Sequence, residues 1–381
     1  MRFFEFRQIL TEGDARIDHA EDYVIFQGSK GAAHALESLK RLEQGGHSDT
    51  TIKWDGSPAI IFGRNENGEF TLTDKSGFGA KGYDGKATSR DALQKMLMAR
   101  PGARNPDPKK AEDYKQFIGN MKGIFNDYAK AVPKDHVGYF KGDLLYFTTP
   151  PQQNDTYVFT PNIVTYTVKA SSDIGKRIGQ SKTGVVIHRQ VDAEGNESPI
   201  NIDVNTYFEG NEVLVFPPVS VSKAPKVIDS EIDNLKVLIS KNASALDDLL
   251  NKEALRQLKL TAFSDILYRY VNNKVDTGLE NLGADFTSWL ASSKVSKPMQ
   301  ERIITYITEH RAGFQSLWAV VVGIQKVKND IIDQFDNHES DIKASIGNTP
   351  GGEGYVLSSP AGDMKLVNRS GFTAANRAIQ R

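Results

Sequence analysis

The chain has 381 residues and no cysteine. That excludes disulfide staples, thiolate nucleophiles and the zinc sites built on thiolates. An excess of charge of one sign is also missing, with 47 Lys and Arg against 48 Asp and Glu and a formal net charge of -1. Any contact with nucleic acid must therefore use a local basic patch and not a general positive field. No apolar run approaches the roughly 18 residues of a membrane helix. The apolar stretch at residues 1–10 is broken by Arg2, Glu5 and Arg7, which does not read as a secretory signal. Repeats and low-complexity tracts are absent as well. These absences predict a cytoplasmic protein without a membrane partner.

What is present is ordinary for a globular chain: 39% hydrophobic and 25% charged residues. At roughly 100 to 200 residues per domain, the length suits two domains. Two textures divide it. Up to about residue 225, short β-like runs alternate with Gly, Asn and Pro turns, at 59–62, 70–73, 138–147, 162–168, 184–188, 200–204 and 212–216. Asn67-Gly68 is a turn signal joining two of these runs into a hairpin. Helical spacing interrupts at 31–42, 90–98 and 111–132.

From 226 to 346 the spacing is helical. Leu255, Leu258, Phe263, Ile266, Leu267 and Tyr270 share one face. Phe314, Leu317, Trp318, Val321, Ile324, Ile331 and Phe335 share another. A single helix over 313–342 would be about 45 Å long at about 1.5 Å per residue. β-like texture returns at 354–357 and 364–367. The expected fold is α+β: antiparallel sheets formed by 1–225 and 347–381, with an all-α insertion at 226–346.

The chemistry begins at Lys53-Trp54-Asp55-Gly56-Ser57. A lysine attacks phosphorus only as a neutral amine, so its ordinary pKa of about 10.4 has to fall to roughly 7 to 8, which requires burial or neighbouring positive charge. A strand end followed by glycine can hold such a lysine while letting the backbone approach a nucleotide. The same tetrapeptide also suits a strand that ends in an Asp-Gly turn with an exposed lysine. Further segments follow in order: Thr73-Asp74-Lys75-Ser76-Gly77, Phe140-Lys141-Gly142-Asp143-Leu144-Leu145, Thr183-Gly184-Val185-Val186-Ile187, Gly352-Glu353-Gly354-Tyr355-Val356-Leu357 and Met364-Lys365-Leu366-Val367.

This series resembles the motif set of the covalent nucleotidyltransferases, the superfamily of ATP-dependent DNA ligases, RNA ligases and messenger-RNA capping enzymes. The Lys-x-Asp-Gly-Ser form followed by Lys75 is most similar to the phage RNA ligases. The resemblance lies in short islands between residues 53 and 367. It implies a ligase-type adenylation domain, with ATP and Mg²⁺ (or Mn²⁺) as cofactors, nucleic-acid ends (RNA before DNA) as partners, and host cytoplasm if the source is a phage. Lys53 would form a lysine-AMP phosphoramidate. Trp54, Asp55 and Gly56 would line the nucleotide, and Lys75 would contact it or the incoming phosphate. Asp143 would lie near the ribose and metal, Glu353 would hold the metal, and Lys365 would reach the α-phosphate.

Each residue also has a structural reading. Asp143 after Gly142 suits a bulge or turn, and Lys75 and Lys365 suit solvated strand faces. His188 suits a strand end, and the aromatics Tyr139, Phe140, Tyr146 and Phe147 suit a core as well as an adenine-stacking wall. Glu353 is the hardest to explain this way, because the glycines around it cost chain entropy. Residues 75–90, with Lys81, Lys86 and Arg90 among glycines, suit a phosphate-binding loop.

The departures are informative. Pro58 stands where DNA ligases and capping enzymes usually carry an arginine, Asp143 stands for a glutamate, and Val367 takes the place of a second lysine. The helical block separates Asp143 from Glu353, and too little chain follows Val367 for an OB-fold lid. Two other functions fit these departures: an adenylyl- or guanylyltransferase with a different acceptor, and a non-catalytic phage structural or scaffold protein that retains the fold.

Overall fold

Side-chain acceptors open the helices where the sequence supplies them. Ser89 Oγ accepts from the Ala92 N–H at 3.2 Å and starts the helix Arg90–Met98. Asp107 accepts from the Lys109 N–H at 2.9 Å and, with Pro108 in the first turn, starts Pro108–Ala131. In the hairpin between strands Ala59–Arg64 and Phe70–Asp74, Asn65 Oδ1 accepts from the Asn67 and Glu69 N–H groups at 3.0 and 2.9 Å, and Gly68 supplies a φ of 76°. A computed structural model describes residues 18–78, 87–226, 229–359, 362–372 and 375. Half of the expected phosphate loop, residues 79–86 with Lys81 and Lys86, lies outside them.

The described chain forms two compact units. The sheet unit, Trp54–Pro218 with Glu339–Gly352, is α+β. Its larger sheet runs in the order Glu197–Ser198, Thr183–Val191, Gly138–Tyr146, Ala59–Arg64, Phe70–Asp74, with Val213–Val215 added parallel to Thr183–Val191. The helices Arg90–Met98 and Pro108–Ala131 bury Leu93, Leu97, Met121, Phe125 and Tyr128 with Ile60, Phe62, Phe140 and Leu144 of this sheet. A second antiparallel sheet orders Thr349–Pro350, Ile342–Ile346, Thr165–Lys169, Thr156–Phe159 and Gln152–Gln153.

The helical unit comprises Met1–Lys53, Val219–His338 and Glu353–Arg381. Helices Asp22–Glu43, Asp229–Leu249, Phe263–Lys274, Lys297–Glu309 and Arg311–Asp336 share one apolar core. On it lies a four-stranded sheet in the order Asp18–His19, Met364–Leu366, Tyr355–Leu357, Thr50–Ile52, which buries Met364, Leu366, Tyr355 and Leu357 against the helices. None of the helices among the described residues is long and apolar enough to cross a membrane.

Several sequence expectations change here. The compact units divide the chain differently from 1–225 and 347–381 against 226–346: the described residues 18–52 and the strands Tyr355–Leu357 and Met364–Leu366 pack with the helices, because the apolar faces of these strands belong to the helical core. The expected helix over 313–342 stops at Asp336, giving 26 residues and about 39 Å of length. Past Phe335 the polar run Asn337-His338-Glu339-Ser340-Asp341 offers nothing apolar to the core, and residues 342–346 are a strand. The face expected over 255–270 is broken at Lys259, whose φ of 57° separates helices Lys252–Gln257 and Phe263–Lys274 and leaves Leu258 exposed. No strand forms at 200–204, where the Asp203 carboxylate accepts from the Asn205 N–H and holds a turn. Expected from residue 31, the first helix starts at Asp22 and kinks at Gly28 (φ 61°, ψ -138°). Asp247 recaps it there, accepting from the N–H and the hydroxyl of Ser29 at 2.7 and 2.6 Å.

Candidate functional site

In the helical unit, Lys53 follows the strand Thr50–Ile52 and Glu353 precedes the strand Tyr355–Leu357, which pair antiparallel. The Lys53 N–H donates to the Gly354 carbonyl at 2.9 Å, which fixes the register where the strands end. Lys53 Nζ and Glu353 Oε1 form an ion pair, with side chains 22% and 19% exposed. Gly354 has φ 127°, and a Cβ there would lie 2.3 Å from the Leu366 carbonyl oxygen. This glycine is therefore required by both its backbone conformation and a close strand approach. Lys365 stands in register with Val356 on one side and His19 on the other. Val367, at the place of the second lysine, is buried.

Beside this sheet lies a charge network that the sequence reading missed. Lys328 Nζ donates to both Glu21 carboxylate oxygens at 2.9 and 2.8 Å. Arg369 Nη1 donates to Asp22 Oδ1 at 2.7 Å and to Glu21 Oε1 at 3.4 Å, and its Nη2 to Asn272 Oδ1. All four charged side chains are fully or almost fully buried. Burial opposes ionisation of Glu21, but Lys328 and Arg369 outweigh it and hold its pKa below the usual range. Asp22 goes the other way: burial, with Glu21 adding to it and Arg369 opposing, raises it to about 6. Burial also lowers Lys328. Desolvation, then the charges of Arg369, Lys328, Lys365 and Lys53, keep His19 well below the ordinary imidazole value. Its Nδ1 is shut from solvent without a hydrogen-bond partner among the described residues. One signal was in the sequence: Lys328 falls four residues after Ile324 and three before Ile331, on the apolar stripe.

In the sheet unit, the residues after Lys53 take two kinds of place. The Trp54 ring is 2% exposed and packs with Tyr166, Phe216 and Phe159 at centroid distances of 4.7, 5.0 and 6.5 Å. It fills a core and has no face left for a nucleotide, contrary to the expectation. The Asp55 carboxylate is also used internally, accepting from Asn162 Nδ2 at 2.9 Å and from the Ile163 and Val164 N–H groups at 3.0 and 3.2 Å. It anchors the turn. Gly56 lies against Asp143, whose Cβ would be 2.6 Å from a Cβ added at 56. Gly142, at a register shift in its strand, supports the bulge reading of this segment. Asp143 Oδ2 and His188 Nε2 are 2.9 Å apart. Lys75 is exposed at the start of a one-turn helix, where Asp74 Oδ1 accepts from the Gly77 N–H and both Asp74 oxygens accept from Arg100 at 2.6 and 2.8 Å. Of the four aromatics considered for stacking, Tyr139, Phe140 and Tyr146 are buried in the core.

A model described as a family of unknown function (DUF6267) matches residues 14–91 and 109–381. The chain belongs to the DUF6267 family. The matched segments of this DUF6267 chain include Lys53, Asp143, His188, Glu353, Lys365 and the four members of the buried network. No curated protein and no solved structure matches it.

The structure therefore brings Lys53 and Glu353 together, sets Lys365 two strands from Lys53 in the same sheet, and packs Gly56 on Asp143. Glu353 and Asp143, the two expected metal ligands, belong to different units. Among the described residues no group of three or more His, Asp or Glu side chains is arranged to hold a metal ion. Glu353 is committed to Lys53 and Asp143 to His188, so these residues do not fit a protein-held divalent ion. What the helical unit offers chemically is an amine in contact with a carboxylate, next to the strand that carries Lys365.

Proposed function

We propose that this DUF6267 protein is a covalent nucleotidyltransferase of the polynucleotide-ligase type, with Lys53 as the nucleophile toward ATP and RNA ends as favoured acceptors. The ion pair of Lys53 with Glu353 carries the reading. Two residues that the resemblance picks out 300 positions apart lie in contact, and the glycine between Glu353 and its strand is sterically obligatory. In the reaction, the Lys53 ammonium must lose a proton to free the nitrogen lone pair; Glu353, in contact with it, would carry that proton away, and because a carboxylate alone favours the ammonium, the positive charge that the attack requires would come from Lys365 and the cation bound to the triphosphate. The N–P bond forms as the bond from the α-phosphorus to the bridging oxygen breaks, and the electron pair leaves on pyrophosphate. The remaining surplus proton on nitrogen passes to pyrophosphate or water. Lys365 contributes positive charge toward the α-phosphate. A divalent ion would come in on the triphosphate, which with water supplies most ligands in such sites. AMP would then pass to a 5′-phosphate, and a 3′-hydroxyl would displace it, sealing the ends.

Val367 favours one second reading, a scaffold protein that keeps the fold without the chemistry, since an aliphatic side chain sits buried where the resemblance places a lysine. Incubation with ATP, Mg²⁺ and 5′-phosphorylated RNA separates the two. The proposed function yields adenylylated and then joined RNA. If the protein becomes adenylylated but neither RNA nor DNA ends receive the AMP, the acceptor is another molecule. If nothing is adenylylated, the scaffold reading stands.

A further inference from the structure

The four-stranded sheet of the helical unit has two unlike faces. On one, Met364, Leu366, Tyr355 and Leu357 are buried in the helical core. The residues between them make the other: Lys365 stands in register with Val356 on one side and His19 on the other, Val356 in turn with Thr51, and all four stay partly exposed. Lys53, two residues past Thr51 and bonded through its N–H to the Gly354 carbonyl, continues this face. Across it run Lys53, then Lys365 two strands away, then His19 on the next strand, roughly 14 Å from Lys53 across the strands.

His19 is the member of this row that the fold does not explain. Its Nδ1 is shut from solvent without a hydrogen-bond partner among the described residues, and a buried polar atom in that state needs a reason. The charges that weigh most on the ring are all positive: Arg369 and Lys328 from the buried network, then Lys365 beside it and Lys53 along the face. With burial they keep the imidazole neutral. An imidazole among cations gains nothing for the core, but it is well placed to meet an anion that those cations attract. A half-turn about χ2 exchanges the two edges of the ring and can bring a nitrogen to the partly exposed face. Three donors strung over that distance suit linked phosphates better than a single one. We propose that His19 binds the pyrophosphate end of ATP, with Lys365 bridging between it and the α-phosphate at Lys53. This rests on the proposed adenylyl transfer for the identity of the anion. The face itself lies wholly in the helical unit. Negative charge arriving beside the ring offsets the cations and lets the imidazole take up a proton as the pyrophosphate binds.

Calorimetric titration with inorganic pyrophosphate tests the site without requiring adenylyl transfer, and adduct formation from ATP is measured beside it. Wild type, His19→Gln and His19→Ala are compared, with melting curves as folding controls and with buffers of different ionisation enthalpy to count protons. Wild type should bind pyrophosphate, and both variants should weaken it by about tenfold to a hundredfold, the size of one hydrogen bond to a charged group. Wild type should also take up more protons on binding than His19→Gln, which a merely structural histidine would not do. Affinity unchanged in either folded variant, or no binding by wild type, overturns the inference, while an adduct in the same samples leaves the parent reading standing. Affinity lost with no difference in proton uptake makes His19 structural and overturns the inference as well. Pyrophosphate binding that depends on His19 in both respects, without any adduct on Lys53, keeps the anion site and removes the transfer reaction.

Discussion

Lys53 and Glu353 form an ion pair across the ends of two antiparallel strands, each about a fifth exposed, so the amine is in contact with the carboxylate that the proposed reaction uses as its base. Glu353→Gln keeps the size of the side chain and removes its basicity. The rate of adduct formation from ATP should fall by about 10²- to 10⁴-fold, the usual contribution of a positioned general base. Because the pair is partly exposed, the melting temperature should change little. An unaltered adduct rate would show that Glu353 takes no part in activating Lys53.

Gly354 and Gly119 make opposite responses to the same substitution. At Gly354, φ is 127° and the Leu366 carbonyl stands 2.3 Å from an added Cβ, so Gly354→Ala should cost roughly 1–3 kcal/mol or more. Gly119 lies inside the helix Pro108–Ala131 with nothing within 4 Å of an added Cβ, so Gly119→Ala should stabilise by up to about 1 kcal/mol. Denaturant titrations of the two variants check both signs.

The buried network of Glu21, Asp22, Lys328 and Arg369 should respond strongly to loss of one member. Lys328→Met leaves the Glu21 carboxylate with a backbone N–H of its own residue and a longer contact to Arg369 at 3.4 Å, and should cost about 3–5 kcal/mol. Pairing it with Glu21→Gln, which removes the stranded charge, should recover part of that loss. A double-mutant cycle by denaturant unfolding measures the coupling; additive effects would mean that Lys328 and Glu21 do not depend on each other.

Stability should fall as pH drops from 7 toward 6. The His19 pKa is depressed in the folded protein, so between its folded value and the ordinary 6.5 the unfolded chain binds more protons, and the stabilisation present above 6.5 is lost on acidification. His34 and His136, lowered chiefly by burial, act in the same direction. Asp22 opposes them lower down: raised to about 6, it takes up its proton in the folded state first and adds stability as pH falls from 6 toward 3.8. His19→Gln should flatten the slope between pH 7 and 6 in denaturant titrations. A slope unchanged by the substitution would remove His19 as its source.

Local signals in the sequence were legible where short-range chemistry decides the structure. The helix Arg90–Met98 was readable because Ser89 caps it, and the hairpin at Asn67-Gly68 because only a few residues have to agree on a turn. Lys53, Glu353 and Gly354 were legible because a charged residue among glycines at a strand end has little structural purpose. What the sequence did not reveal depends on distant partners. Asp18–His19 is too short to read as a strand until Met364–Leu366 lies beside it. Trp54 and Asp55 look like ligand contacts until Tyr166, Asn162 and Ile163 fold around them. Lys328 looks like a lapse in an apolar stripe until Glu21 meets it.

The central claim is that Lys53 is a nucleophile. Incubating the purified protein with ATP labelled at the α-phosphate, with Mg²⁺, and locating any adduct by peptide mass spectrometry tests it most directly. The account requires an acid-labile AMP on Lys53 in wild type and no labelling of Lys53→Ala. An unlabelled wild type, or a Lys53→Ala variant labelled as strongly as wild type, would contradict it.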